Sequence, residues 1–136
     1  MRFMILVKSN KDYEAGAMPS EDMLTAMADY HEQLAKAGVL LDGNGLHPSS
    51  KAFRITWSGG KRTLHDGPFT ETKELIAGYT IIQVKSEGEA REWAKRMPNP
   101  QEEDGEIEIR RLFELEDFGP SDAIERFRDM GVGAKN

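Results

Sequence analysis

Ser20-Glu21-Asp22-Met23-Leu24-Thr25-Ala26-Met27-Ala28-Asp29-Tyr30-His31-Glu32-Gln33-Leu34-Ala35-Lys36-Ala37-Gly38 is the stretch on which the fold turns. Met23, Met27, Tyr30, Leu34 and Ala37 recur at helical spacing, and Leu24 widens the stripe. Ser20 is placed to cap the first turn, where Glu21 and Asp22 favour the positive end of the helix dipole. Gly38 suits the left-handed residue that ends a helix. Upstream, Phe3 to Val7 is an apolar run closed by Lys8 and Ser9, a strand covered on at least one face. Asn10 to Pro19 is polar, contains Gly16 and Pro19, and reads as loop. Downstream, Val39-Leu40-Leu41 restarts an extended run. It breaks at Asp42-Gly43-Asn44-Gly45, a bulge or turn whose backbone comes close to something. The unit is β-α-β.

The same order returns further on. Phe53, Ile55 and Trp57 alternate with Arg54, Thr56 and Ser58, a half-buried strand. Gly59-Gly60 is a two-residue hairpin signal, and Lys61 to His65 runs back. After Asp66-Gly67-Pro68-Phe69 a strand from Leu75 to Val84 is interrupted by Gly78. Ser86 and Glu89 match the S-x-x-E capping box of a second helix through Ala90, Trp93 and Ala94, which Pro98 and Pro100 close off. Gly105 to Phe113 alternates again, with Ile107, Ile109 and Leu112 on one side. β-α-β, a hairpin and β-α-β make an α+β, ferredoxin-like domain over residues 1–112, its antiparallel sheet enlarged by an inserted hairpin. Residues 113–136 form a C-terminal extension. There Gly119-Pro120 breaks the chain, Ser121 caps a short helix with Ile124, Phe127 and Met130, and Phe118 and Phe127 need burial against the domain or a partner subunit.

Composition narrows the function. The 136 residues suffice for one core. With 24 Asp and Glu against 18 Lys and Arg, net charge is −6, which disfavours nucleic acid as a partner. There is no cysteine, hence no thiolate nucleophile, disulfide or cysteine-bound zinc. No apolar run reaches the length of a secretion signal or membrane span, so a cytoplasmic protein is expected. His31, His47 and His65 lack metal-ligand spacing, and phosphate-loop, dinucleotide and nucleophile-elbow motifs are missing from the sequence. No metal and no cofactor are expected.

The segment Asp66-Gly67-Pro68-Phe69-Thr70-Glu71-Thr72-Lys73-Glu74, followed by Gly78-Tyr79, resembles the DGPF branch of the YCII-related proteins. Gly43-Asn44-Gly45-Leu46, Ala90-Arg91-Glu92-Trp93-Ala94 and Ile107-Glu108-Ile109-Arg110 extend the likeness across residues 1 to 112. Where the family usually has Arg-Pro, this chain has Arg110-Arg111. The resemblance implies a ferredoxin-like fold of the dimeric α/β-barrel type and a homodimer. It also implies a family in which most members have no established activity. A few relatives are enzymes, among them a dehydrochlorinase of chlorinated hydroxyquinols, with a His–Asp pair as their suggested catalytic element. DGPF members are often encoded beside extracytoplasmic-function sigma factors, which suggests a regulatory setting.

Candidate residues follow from both sources. His31 borders the apolar stripe of the first helix, where YCII relatives carry their acid–base histidine. It is either that residue or a boundary histidine bonded to backbone. Asp66 either stabilises the turn at Gly67-Pro68 or presents a carboxylate to a cleft. A catalytic pair of His31 and Asp66 requires helix and loop to converge. His65 neighbours Asp66 in sequence, but successive strand residues point to opposite faces. Arg54, Lys73 and Tyr79 are candidates for substrate binding. Thr70, Glu71 and Glu74 suggest a single helical turn able to receive an anion. Met4, Met18, Met23, Met27, Met97 and Met130 read as core or interface filling. Two functions are in view: a small-molecule enzyme doing acid–base chemistry near the loop, and a non-catalytic dimer that binds a ligand or protein in sigma-factor-linked regulation. A dimer is expected because two helices cover only one face of a sheet of five or six strands.

Overall fold

The computed structural model describes residues 1–101 and 103–134; the last two residues of the C-terminal extension, Lys135 and Asn136, lie outside them. Strands β1 (Arg2–Lys8), β2 (Leu40–Gly45), β5 (Ile76–Gln83) and β6 (Ile107–Arg111) form one sheet in the order β2-β5-β1-β6. All three neighbouring pairs are antiparallel. β1 and β2 are joined through α2 (Glu21–Lys36) with β5 between them. β5 and β6 are joined through α3 (Glu87–Lys95) with β1 between them. That is the split βαβ arrangement of a ferredoxin-like fold.

Register decides which face each side chain takes. Phe3 pairs with Ile82 and Arg111, Ile5 with Thr80 and Ile109, and Val7 with Gly78 and Ile107. Paired residues share a face, and this face meets the helices. Phe3, Ile5, Ile82 and Val84 are buried there against Tyr30 and Leu34 of α2 and Ala90 of α3. Ile5, Leu34 and Ile82 are completely enclosed, each contributing roughly 2 kcal/mol of apolar burial. Serine caps fix both helices: Ser20 Oγ accepts from Met23 N at 3.1 Å, and Ser86 Oγ from Glu89 N at 3.1 Å. The Glu89 carboxylate reaches back to Lys85 N at 2.9 Å.

Several expectations change. The hairpin β3 (Phe53–Ser58) and β4 (Lys61–Asp66) does not enlarge the main sheet, which has four strands among the described residues; there the two pair only with each other. Gly59 and Gly60, at φ +57° and +76°, make the tight turn between them. Gly43 and Gly45 do not end β2. The irregularity is a bulge between Leu40 and Asp42, after which pairing with β5 continues to Gly45. Gly78 likewise lies inside an unbroken β5, packed so closely that a Cβ there would sit 2.9 Å from Asn44 O. The polar segment before α2 contains a four-residue helix, α1 (Lys11–Glu14), capped by Asn10. Residues 70–75 form turns rather than a helical turn.

In the C-terminal extension, Ser121 caps α4 (Asp122–Met130), but Phe118 and Phe127 stay 58% and 42% exposed. Met18 and Met130 are exposed too. The extension is tied to β1 by Arg2, a buried guanidinium. Its Nε donates to Glu114 Oε1 at 2.9 Å, and its Nη2 donates to Phe113 O and Gly133 O at 3.2 and 2.8 Å.

Candidate functional site

Between α2 and the helix-facing side of the β2–β5 pair lies a cavity of about 430 Å³. Its existence follows from the residues opposite α2. Gly43 pairs with Thr80 and Gly45 with Gly78, so three of the four positions facing the helix have no side chain. Backbone forms that wall. Met23, Leu24 and Met27 of α2, Val7 of β1 and Met97 make the rest largely apolar. Tyr13 closes one side; its hydroxyl donates to the Leu46 carbonyl. Burial, and then the neighbouring Glu14 carboxylate, raise the Tyr13 pKa above its ordinary 10.0, so it stands as a neutral donor at physiological pH.

His31 stands at the glycine wall. Its Nδ1 lies 2.7 Å from Met27 O and its Nε2 2.9 Å from Thr80 Oγ1. A carbonyl only accepts, so Nδ1 carries the proton in the neutral ring, and Nε2 accepts from the Thr80 hydroxyl. Thr80 is 3% exposed and lines the same cavity. A Cβ at Gly43 would lie 3.7 Å from both His31 Nε2 and Thr80 Oγ1. The glycine is what leaves these two atoms facing open space.

Asp66 is not brought to this cavity. It ends β4 on the separate hairpin, opposite Phe53, and does not line the space that His31 lines. Both ring nitrogens of His31 are taken by other partners. His65 points to the other face of the hairpin, beside Arg54, with Nε2 3.3 Å from Thr56 Oγ1.

The loop after Asp66 is pinned by packing. Gly67 N donates to Ala52 O at 2.9 Å, the Gly67–Pro68 peptide is cis, and a Cβ on Gly67 would fall 1.8 Å from Ser49 O. Phe69 N donates to Ser49 Oγ at 2.9 Å, and Ser49 donates its N–H and hydroxyl to the Glu14 carboxylate. The loop thereby fastens the hairpin to α1.

The three candidate binding residues are dispersed. Tyr79 turns to the uncovered face of the sheet, paired with Leu6 and Asn44. Its hydroxyl accepts from Asn44 Nδ2 at 3.0 Å and lies 3.5 Å from Asp42 Oδ2. Only its backbone belongs to the His31 cavity. Arg54 sits over Phe69 and lines a second, smaller cavity. Lys73 is exposed on the turn that follows. Sequence reasoning missed Thr80, Tyr13 and the part played by Gly43. The polar Thr80 in an otherwise apolar strand, two residues from Gly78, was the available signal.

Among the described residues no group of three or more His, Asp or Glu is arranged to hold a metal ion, and no helix is long and apolar enough to cross a membrane.

These features define a ferredoxin-like α+β domain with a histidine-bearing cavity between its first long helix and its sheet. The model of the YCII-related domain matches residues 1–116, and the chain belongs to the YCII-related family. It is similar to an uncharacterised protein of Rhizobium meliloti (strain 1021), at 27% identity over 114 residues, covering 82% of this chain and 92% of that one.

Proposed function

We propose that the protein is a small-molecule enzyme whose acid–base group is His31, acting in the cavity between α2 and the sheet. The observation that carries this is the fixed tautomer: Met27 O holds the proton on Nδ1, and the basic Nε2 meets Thr80 at an apolar, glycine-walled space. A substrate proton passes to Thr80 Oγ1 while the Thr80 proton passes to Nε2, or goes to Nε2 directly. The imidazolium that results keeps its bond to Met27 O. Returning the proton elsewhere on the substrate gives an isomerase. Losing a leaving group from the carbanion gives a lyase, the class to which the dehydrochlorinase resemblance points. The lining favours a neutral, largely apolar substrate. Asp66 takes part only if a second copy carries it to this helix-facing cavity, which an arm seated on the uncovered face of the sheet does not do.

The test is a panel of hydroxylated aromatics and lactones, followed by turnover and by ligand-induced amide shifts. Turnover by the natural chain that falls at least a hundredfold in His31→Gln, with the fold intact by circular dichroism, supports the reading. Turnover unchanged in that variant overturns it. Loss in Asp66→Asn as well would place the partner's carboxylate in the reaction.

A homodimer belongs to the same reading. The hairpin exposes Phe53, Ile55, Trp57 and Leu64 on one face, with Trp57 70% and Phe53 62% exposed. An isolated two-stranded hairpin is marginal in water. The hairpin, residues 53–66, holds Arg54, Lys61 and Arg62 against the single acid Asp66, so the arm is net cationic and the remaining chain strongly acidic. A second copy offers an apolar seat on its uncovered sheet face, where Met4, Leu6, Tyr79 and Ile81 are only half-buried.

A further inference from the structure

The second cavity, about 370 Å³, opens where the hairpin meets the domain and is lined by Leu46, His47, Lys51, Arg54, Phe69 and Ile76 among others. We propose that it binds an organic carboxylate, with Arg54 on the carboxylate and an apolar body against Leu46, Phe69 and Ile76.

Arg54 carries the assignment. Its Cζ lies 3.7 Å above the centre of the Phe69 ring, so the ring covers one face of the guanidinium and leaves the N–H donors at its edges for a ligand. Two such donors in a plane match a carboxylate. The Asp66-Gly67-Pro68-Phe69 loop builds that platform: Gly67 closes against Ser49, and the Phe69 amide is bonded to Ser49 Oγ. Among the described residues neither Arg54 nor Lys51 has a carboxylate within ion-pair distance. The acid in the lining, Glu14, has its carboxylate engaged by the N–H and hydroxyl of Ser49. Two cations, His47 and an apolar wall then face a space whose acid, Glu14, is turned to Ser49 and ion-pairs with neither cation. Bare inorganic phosphate leaves the apolar wall unused; an apolar molecule with a carboxylate uses both parts.

This site is independent of the chemistry proposed at His31, although the two cavities adjoin. They are lined by consecutive residues at Tyr13 and Glu14, Gly45 and Leu46, and Ile76 and Ala77. The experiment is an amide-shift titration of the labelled full chain with benzoate, with benzyl alcohol and inorganic phosphate run alongside. Saturable shifts at Ser49 and Phe69 with benzoate are expected, with benzyl alcohol and phosphate at least tenfold weaker. Arg54→Gln weakens benzoate about tenfold or more, since one charge-assisted pair is lost. Arg54→Lys, which keeps the charge but not the planar fork, falls between. Arg91→Gln, an equal charge change on α3, and His31→Gln leave binding unchanged. Benzoate that fails to saturate, binds no better than benzyl alcohol or phosphate, or is indifferent to Arg54→Gln overturns the assignment. Binding that survives Arg54→Gln but is lost in His31→Gln puts the carboxylate in the other cavity.

Discussion

His31 has both ring nitrogens engaged, and its two partners differ in what a substitution can remove. The Met27 carbonyl is backbone and stays. Thr80 is a side chain, and Thr80→Val keeps its shape while deleting the hydroxyl that Nε2 accepts from. The ring then retains its tautomer but holds an unsatisfied nitrogen at the cavity wall, so stability should fall by about 1 kcal/mol. Nitrogen-15 shifts should still report a proton on Nδ1; a switch to Nε2 would mean that Thr80, not Met27, sets the tautomer. Gly43→Ala separates packing from chemistry at the same place. Its Cβ would make ordinary 3.7 Å contacts to His31 Nε2 and Thr80 Oγ1, so thermal midpoint should hold within about 2 °C while ligand binding in the cavity weakens. Gly67→Ala is the opposite case. With Ser49 O at 1.8 Å from the new Cβ, backbone must move, and a loss of about 3 kcal/mol or more is expected by denaturant titration.

At the scale of elements, α2 was readable because everything that defines it is local: the apolar spacing, the Ser20 cap and Gly38 all lie within one stretch. The Ser86–Glu89 cap of α3 and the Gly59-Gly60 turn are local in the same sense. The parts that escaped are those decided across the chain. β2 runs through two glycines because β5 supplies its hydrogen bonds, and no propensity in Asp42-Gly43-Asn44-Gly45 announces that. The arm alternates like a half-buried strand, yet it pairs with no strand of the main sheet. His31 was legible as a border residue of its helix, but Thr80, 49 positions away, was not legible as its partner. The His31–Asp66 pairing failed to form within the chain because the loop that holds Asp66 is committed to Ser49 and Ala52. Tyr30 carries an element-scale consequence, since it joins α2 to α3 by donating to Trp93 O at 2.6 Å. Burial pushes its pKa from 10.0 up to about 12, against a small lowering by Arg96. The neutral phenol is thus favoured in the folded state. Its contribution is fully present below pH 10 and is lost as pH climbs from about 10 to 12, on the order of 2–3 kcal/mol in all. Tyr30→Phe should be less stable near neutrality, having orphaned a carbonyl, but its stability should decline less steeply over that alkaline interval. Parallel curves for the two proteins would show that Tyr30 is not the group responsible.

For the whole molecule the unresolved balance is between an acidic body and a cationic, apolar arm. Arg54 and His65 face back toward the domain, while Phe53, Ile55, Trp57 and Leu64 face away from it, so the arm can seat a partner without disturbing the Arg54–Phe69 contact. If a second copy covers that outward face, each of two equivalent arms rests on the other's uncovered sheet, and a two-fold dimer closes without leaving a further open surface. Burying those four side chains reciprocally removes several hundred Å² of apolar surface, enough to matter against the cost of association. The prediction is a dimer by equilibrium ultracentrifugation at micromolar concentration, and dissociation of the Trp57→Ser/Ile55→Asp double variant to a monomer that keeps its helical circular dichroism. The charge pattern adds a second arm to the test. Attraction between the basic arm and the net negative charge of the other copy is screened by salt, whereas apolar burial is not, so Lys61→Glu/Arg62→Glu should weaken the dimer at low ionic strength and much less at 0.5 M salt. A natural chain that stays monomeric at micromolar concentration would leave the arm to some other partner, and an interface indifferent to all four substitutions would move it off the hairpin altogether.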